Sequence, residues 1–84
     1  MMNKVIVRVF VPSLEKEYNI WIPLNKKIYS VVNLIAKGIS EMTDGVYNPK
    51  KLPILYNRET GINYNLNDVV KDTDIVNGSE LVFM

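Results

Sequence analysis

The sequence contains no cysteine and no histidine among its 84 residues. The first absence excludes a disulfide framework, a thiolate metal site and a catalytic thiol. Together they remove Ser-His and Cys-His nucleophilic catalysis and the usual ligands of a transition-metal site. Glycine is sparse: Gly38, Gly45, Gly61 and Gly78 stand far apart and form neither a phosphate-binding loop nor a dinucleotide fingerprint. Long apolar runs are missing as well. Residues 5–11 are interrupted by Arg8 and fall short of a signal-peptide core and of a membrane span of about 20 residues. A cytoplasmic protein without direct membrane insertion is the default expectation. Charge of one sign is also lacking, with ten basic residues against nine acidic and a net charge of +1. The long-range field that draws proteins to nucleic acid or anionic lipid is therefore weak. Lys26-Lys27 and Lys50-Lys51 are pairs without interleaved aromatics, so they read as solubility and not as a nucleic-acid platform.

What is present suits one small globular domain spanning residues 1–84. A chain of this size buries only about 60 to 65 % of its extended surface, and its 48 % hydrophobic content is too high for a disordered segment. Residues 1–56 carry a charge of +4 and residues 57–84 a charge of −3. In a compact fold these halves interleave into a mixed-charge surface; the alternative is a polarised binding face.

Periodicity places the elements. Val5, Val7, Val9 and Val11 alternate with Ile6, Arg8 and Phe10, which is a strand with one fully apolar face. Residues 12–16 break the run. Tyr18, Ile20 and Ile22 then alternate with Asn19 and Trp21, and Pro23 closes what reads as an antiparallel hairpin with a loop longer than two residues. Ile28, Val31, Val32, Ile35, Ile39 and Met42 gather into one stripe of an amphipathic helix over residues 27–42, with Asn25 as N-cap and Gly45 at the exit. Residues 52–56 form a short strand whose Pro53 suits an edge position or strand start. Residues 62–66 can add a further short strand, Asn67-Asp68 can cap a single helical turn, and residues 80–84 close the chain as a strand. No internal repeat or low-complexity tract appears.

Hairpin, amphipathic helix and then two or three strands make an α+β pattern that resembles the ubiquitin-like β-grasp fold, a mixed four- to five-stranded sheet packed on one helix. The specific pieces are Ile28-x-x-Val31-x-x-x-Ile35 in the helix and Leu66-x-Asp68 followed by Ile75-x-Asn77-Gly78-x-x-Leu81 at the end. Within that superfamily the chain is most similar to the YukD-like proteins, accessory components of type VII (WXG-type) secretion systems in Gram-positive bacteria. The resemblance implies a bacterial cytoplasmic interaction module, accessory or regulatory, whose partners include secretion-system components. A conjugated modifier or sulfur carrier needs a flexible terminus ending in Gly-Gly, whereas this sequence closes on Phe83-Met84. The expectation is a module that is not conjugated, with the modifier reading and a self-assembling structural module as alternatives.

No catalytic, cofactor or metal residues are assigned. Asp68, Asp72 and Asp74 are the one close carboxylate group, and they lack the glycine and terminal glutamate of a calcium loop, so a cap-and-turn role is expected. The candidate site is instead a surface. If the valines of the first strand, with Tyr18, Ile20, Ile22, Leu81 and Phe83, face the helix, then Ile6, Arg8, Phe10, Trp21, Val82 and Met84 occupy the other face of the sheet. Five of these six are apolar, which favours contact with a protein partner or a second copy forming a homodimer. The alternative is that Trp21 and Phe10 cover each other as a cross-strand aromatic pair and stiffen the hairpin.

Overall fold

Alternation along the first strand decides the architecture. In the computed structural model, which describes residues 3–84, Lys4–Val11 forms β1. Met1 and Met2, the first residues of the expected domain, lie outside the described residues. Val5, Val7, Val9 and Val11 are buried, and the residues between them are exposed or half-buried. Lys16–Pro23 forms β2, antiparallel to β1, with Val9 opposite Tyr18, Val7 opposite Ile20 and Val5 opposite Ile22. Between them, Pro12–Leu14 makes one 3-10 turn, with proline at the start, where its missing N–H costs nothing.

The helix α1 spans Ile28–Met42 and buries Ile28, Val31, Val32, Ile35 and Ile39. Met42 completes the stripe in the sequence but is 57 % exposed. It is the last helical residue, and the core ends at Ile39. Asn25 is not the N-cap. That position belongs to Lys27, whose side chain makes no capping bond. The Ile28 and Tyr29 N–H groups instead donate to the carbonyls of Asp68 (2.8 Å) and Leu66 (3.1 Å), backbone acceptors from a distant segment. The Val70 and Lys71 N–H groups donate back to the Lys26 and Leu24 carbonyls, so two irregular segments clasp each other. At the other end the Gly45 N–H reaches the Ser40 carbonyl (2.8 Å) and the Asp44 N–H the Glu41 carbonyl (3.3 Å), a Schellman exit. Both Asp44 (φ 52) and Gly45 (φ 82) adopt the left-handed region.

Leu55–Asn57 forms β3 and Glu80–Phe83 forms β4. The sheet order is β2-β1-β4-β3, with β4 parallel to β1 and antiparallel to β3. The Asn77-Gly78 turn seats β4: the Asn77 side-chain oxygen accepts the Ile6 N–H at 2.9 Å, and the Gly78 N–H donates to the Ile6 carbonyl at 2.9 Å. Gly78 has φ 85, which side-chain-bearing residues rarely adopt.

The sheet has four strands. Residues 62–66 contribute a single bridge, Asn63 with Tyr56, before the Asn65 side chain accepts the Asn67 N–H and turns the chain away. The single helical turn exists at Val70–Asp72, preceded by Val69, so Asn67 and Asp68 do not cap it.

Tyr64 ties this irregular stretch to the turn before β4. Its hydroxyl donates to Asp74 at 2.6 Å, and the Asn57 amide reaches both, at 3.3 Å and 3.4 Å. Burial, followed by the bond to the Asp74 carboxylate, pushes the Tyr64 hydroxyl up to about 12. Burial raises Tyr47 as well. A phenol whose folded pKa lies above its unfolded value stabilises the fold at all pH below the unfolded value of 10.0 and loses that contribution as pH rises through the folded one. Stability should therefore decline between pH 10 and about pH 12, and Tyr64→Phe should flatten that decline. Urea unfolding across this range checks it, and an unchanged slope in the variant contradicts the assignment.

Candidate interaction surface

The outer face of the sheet is built in rows by the registers of its strands. Trp21 lies opposite Ile6, Asn19 opposite Arg8 and Glu17 opposite Phe10. On the other side of β1, Glu80 lies beside Arg8 and Val82 beside Phe10. Tyr56 lies beside Val82, and Ile54 and Met84 exchange backbone hydrogen bonds beyond it, at 2.8 and 3.1 Å. Because side chains alternate across a strand, all of these residues share one face.

Ile6, Phe10, Trp21 and Val82 thus stand on three adjacent strands, one step out of phase with the buried valines. Their environments differ. Trp21 is 54 % exposed, Ile6 and Phe10 are half-buried, and Val82 retains only 6 % of its surface. Val82 sits between Phe10 and Tyr56, so it supports this face and offers little contact area. Arg8 and Met84 are exposed, and the Tyr56 hydroxyl lies 2.9 Å from the Met84 sulfur.

The face is not one apolar patch, because a charged row divides it. Arg58 contacts Glu17 at 2.7 Å and Glu80 at 4.0 Å, while Arg8 contacts the same two carboxylates at 3.7 and 3.8 Å. The Arg58 guanidinium also lies over the Phe10 ring, 4.8 Å from its centroid. These four side chains are each more than a third exposed, so solvent screens the pairs and each contributes about 0 to 1 kcal/mol. Their effect is arrangement: Phe10 is roofed by a cation, and Trp21 with Ile6 is left as a separate apolar end.

The aromatic pair of Trp21 with Phe10 does not form. Their rows are separated by the Arg8 row, about 13 Å along the strands at roughly 3.3 Å per residue. Trp21 therefore has an aliphatic cross-strand neighbour and, among the described residues, no aromatic ring pair.

Glu17, Tyr56, Arg58 and Glu80 belong to this face and are absent from the sequence-derived set. Glu80 was accessible to parity alone, since it alternates with Leu81. Glu17 needed the hairpin register, which depends on the length of the 12–15 connection. Arg58 needed the pairing of β3 with β4, for which the sequence carries no local signal. Asp68, Asp72 and Asp74 do not converge; among the described residues no group of three acidic side chains could hold a metal ion.

No protein-family model and no curated protein matches the sequence. Solved structures do match. The EccD5 ubiquitin-like domain from Mycobacterium xenopi superimposes with a TM-score of 0.80 over 99 % of this chain and 94 % of that one, at 10 % identity. The ubiquitin-like domain of the Mycobacterium tuberculosis type VII secretion system protein EccD1 gives 0.74 over 98 % of both chains, at 13 % identity. The fold is ubiquitin-like. A ubiquitin-like domain of an Arabidopsis thaliana protein shares it at 0.70, covering 99 % of this chain and 78 % of that one with 24 % identity. At such identities the likeness carries the fold, and function has to come from the surface.

Replacing Arg58 with Ala should uncover Phe10 while leaving both carboxylates in reach of Arg8. The expected loss of stability is about 1 kcal/mol or less, accompanied by increased binding of an apolar fluorescent dye. A loss of several kcal/mol in urea unfolding would show that the network holds the fold itself.

Proposed function

We propose that this chain is a ubiquitin-like protein-interaction module that acts without being conjugated, as a cytoplasmic accessory or regulatory component of a bacterial type VII secretion system. The observation that carries the reading is the single tryptophan, Trp21, half-exposed beside Ile6 on an ordered hairpin with no aromatic partner. Large aromatics in this setting dominate the energetics of interfaces once a partner desolvates them. The proposed contact set is Ile6, Arg8, Phe10, Trp21, Val82 and Met84, centred on Trp21, with Val82 acting as support. The secretion context is supported by the motif resemblance and by the ubiquitin-like folds of EccD1 and EccD5. Among the described residues no helix is long and apolar enough to cross a membrane.

Leu81 and Phe83 are fully buried, and Met84 is hydrogen-bonded in both directions to Ile54, so β4 serves the sheet over its whole length. Ser-His and Cys-His catalysis are unavailable to these 84 residues, which contain no His and no Cys.

Trp21→Ala tests the reading directly. With purified cytosolic domains of secretion components from the same organism as titrants, calorimetry should show affinity weakened by about 2 kcal/mol or more, roughly 30-fold, with the melting temperature little changed. If the variant melts earlier and binds equally well, Trp21 is a stiffener of the hairpin. If it abolishes only self-association seen by sedimentation, the self-assembling reading replaces the adaptor.

A further inference from the structure

A second surface lies at the far end of the sheet from Trp21. After the Schellman exit, the chain buries Tyr47 against Phe83, with ring centroids 6.3 Å apart, and then runs outwards before Pro53 returns it to β3. This excursion leaves a groove of about 610 Å³ between itself and the Pro12–Leu14 turn, lined chiefly by Leu14, Val46, Tyr47, Leu52, Ile54 and Met84. Val46 is 77 % exposed, and Leu52, Ile54 and Met84 are exposed as well. A contiguous exposed apolar concavity in a small domain marks a contact site.

The groove continues into a second one of about 420 Å³ along the outer side of α1, sharing Asn48, Pro49, Lys51, Leu52 and Pro53 with the first. Here the charged lining residues are Lys37, Lys50 and Lys51, and no acidic side chain lines either groove. None of the three lysines takes part in an ion pair among the described residues. In a chain of net charge +1 this concentration of unmatched cations is local, and it adjoins apolar surface.

We propose that these grooves form one docking channel for an extended acidic-amphipathic peptide of a partner protein, with bulky apolar side chains seated against Val46, Leu52 and Ile54 and following Asp or Glu side chains met by Lys37, Lys50 and Lys51. The charges complement the lysines and set the direction in which the peptide lies. An anionic bilayer fits less well, because the groove floor at Tyr47 and Pro53 is buried and a flat surface does not reach it. The Lys50-Lys51 pair, read from sequence as solubility, becomes the acidic-end contact. The channel meets the outer face at Ile54 and Met84, which line both, while Trp21 lies about 20 Å away along the strands at roughly 3.3 Å per residue.

Selection of a displayed library of random dodecamer peptides against the intact chain supplies the probe, and the enriched peptide is then synthesised, labelled and titrated by fluorescence anisotropy. The enriched peptides should pair bulky apolar residues with nearby Asp or Glu. Their amide-shift footprint should cover residues 46–54 and 37. Affinity should fall about tenfold or more in the triple variant K37E/K50E/K51E and in Leu52→Asp, and should fall less in K37Q/K50Q/K51Q. Trp21→Ala should leave it within about twofold, which separates this channel from the outer-face reading. No enrichment, enrichment without acidic residues, a footprint centred on Trp21 and Ile6, or indifference to charge reversal overturns the proposal. So does displacement of the peptide by phosphatidylglycerol vesicles or by a second copy of the chain.

Discussion

The burial of one side of β1 is the constraint from which the rest follows. This strand lies between β2 and β4, and its four valines share one buried cluster with the inner side chains of α1, so it is committed on both edges and on one face. Burying each such side chain contributes about 1.5 to 3 kcal/mol before entropy is counted. A shift by one residue would drive Arg8 into that core and bring the valines to water, which forbids every odd shift, and the Asn77-Gly78 bonds to Ile6 select among the even ones. Once β1 is placed, Trp21 must stand opposite Ile6 and Glu17 opposite Phe10. The composition of the outer face is a consequence of how the inner face packs.

That outer face has two apolar ends separated by charge. The Arg8, Arg58, Glu17 and Glu80 cluster contributes little net stability at its exposure, yet it sits over Phe10 and interrupts what would otherwise be a continuous sticky sheet. Interspersed charge on an exposed sheet limits indiscriminate association while leaving a localised anchor. Trp21 is the exposed aromatic at one of these ends. The groove that begins at Ile54 and Met84 lies at the opposite end of the strands from Trp21, and its charged lining residues are all lysines.

The regular elements were legible in the sequence because each is specified by its own side chains. Four alternating valines, a six-residue apolar stripe from Ile28 to Met42, buried as far as Ile39, and an alternating strand at Leu81 and Phe83 need no knowledge of neighbours. What escaped was specified by neighbours. The helix start uses the Asp68 and Leu66 carbonyls in place of Asn25, because a backbone acceptor leaves no trace in residue identity. The expected strand at 62–66 fails because an Asn65 turn competes successfully with ladder pairing after one bridge. On the surface, parity places each candidate on a face, whereas the separation of Trp21 from Phe10 requires the hairpin register. Burial of Val82 and the roof over Phe10 depend on Tyr56 and Arg58, which arrive from β3.

A single register holds β1 between β2 and β4, and its amides report this directly. The Leu24 N–H to Asn3 carbonyl bond at 2.8 Å sets the alternation of the antiparallel pair. Continuing it makes Tyr18, Ile20 and Ile22 the β2 residues bonded to β1 and points the Glu17, Asn19 and Trp21 amides to the free edge. Ile6 and Arg8 are bonded on the β4 side, to Asn77 and Ser79. Residue-resolved hydrogen exchange should therefore find every β1 amide from Val5 to Val11 protected to the level of global unfolding, with Tyr18, Ile20 and Ile22 slow and Glu17, Asn19 and Trp21 fast. Uniform protection along β2, or rapid exchange at Ile6 and Arg8, would contradict the register and with it the assignment of both surfaces.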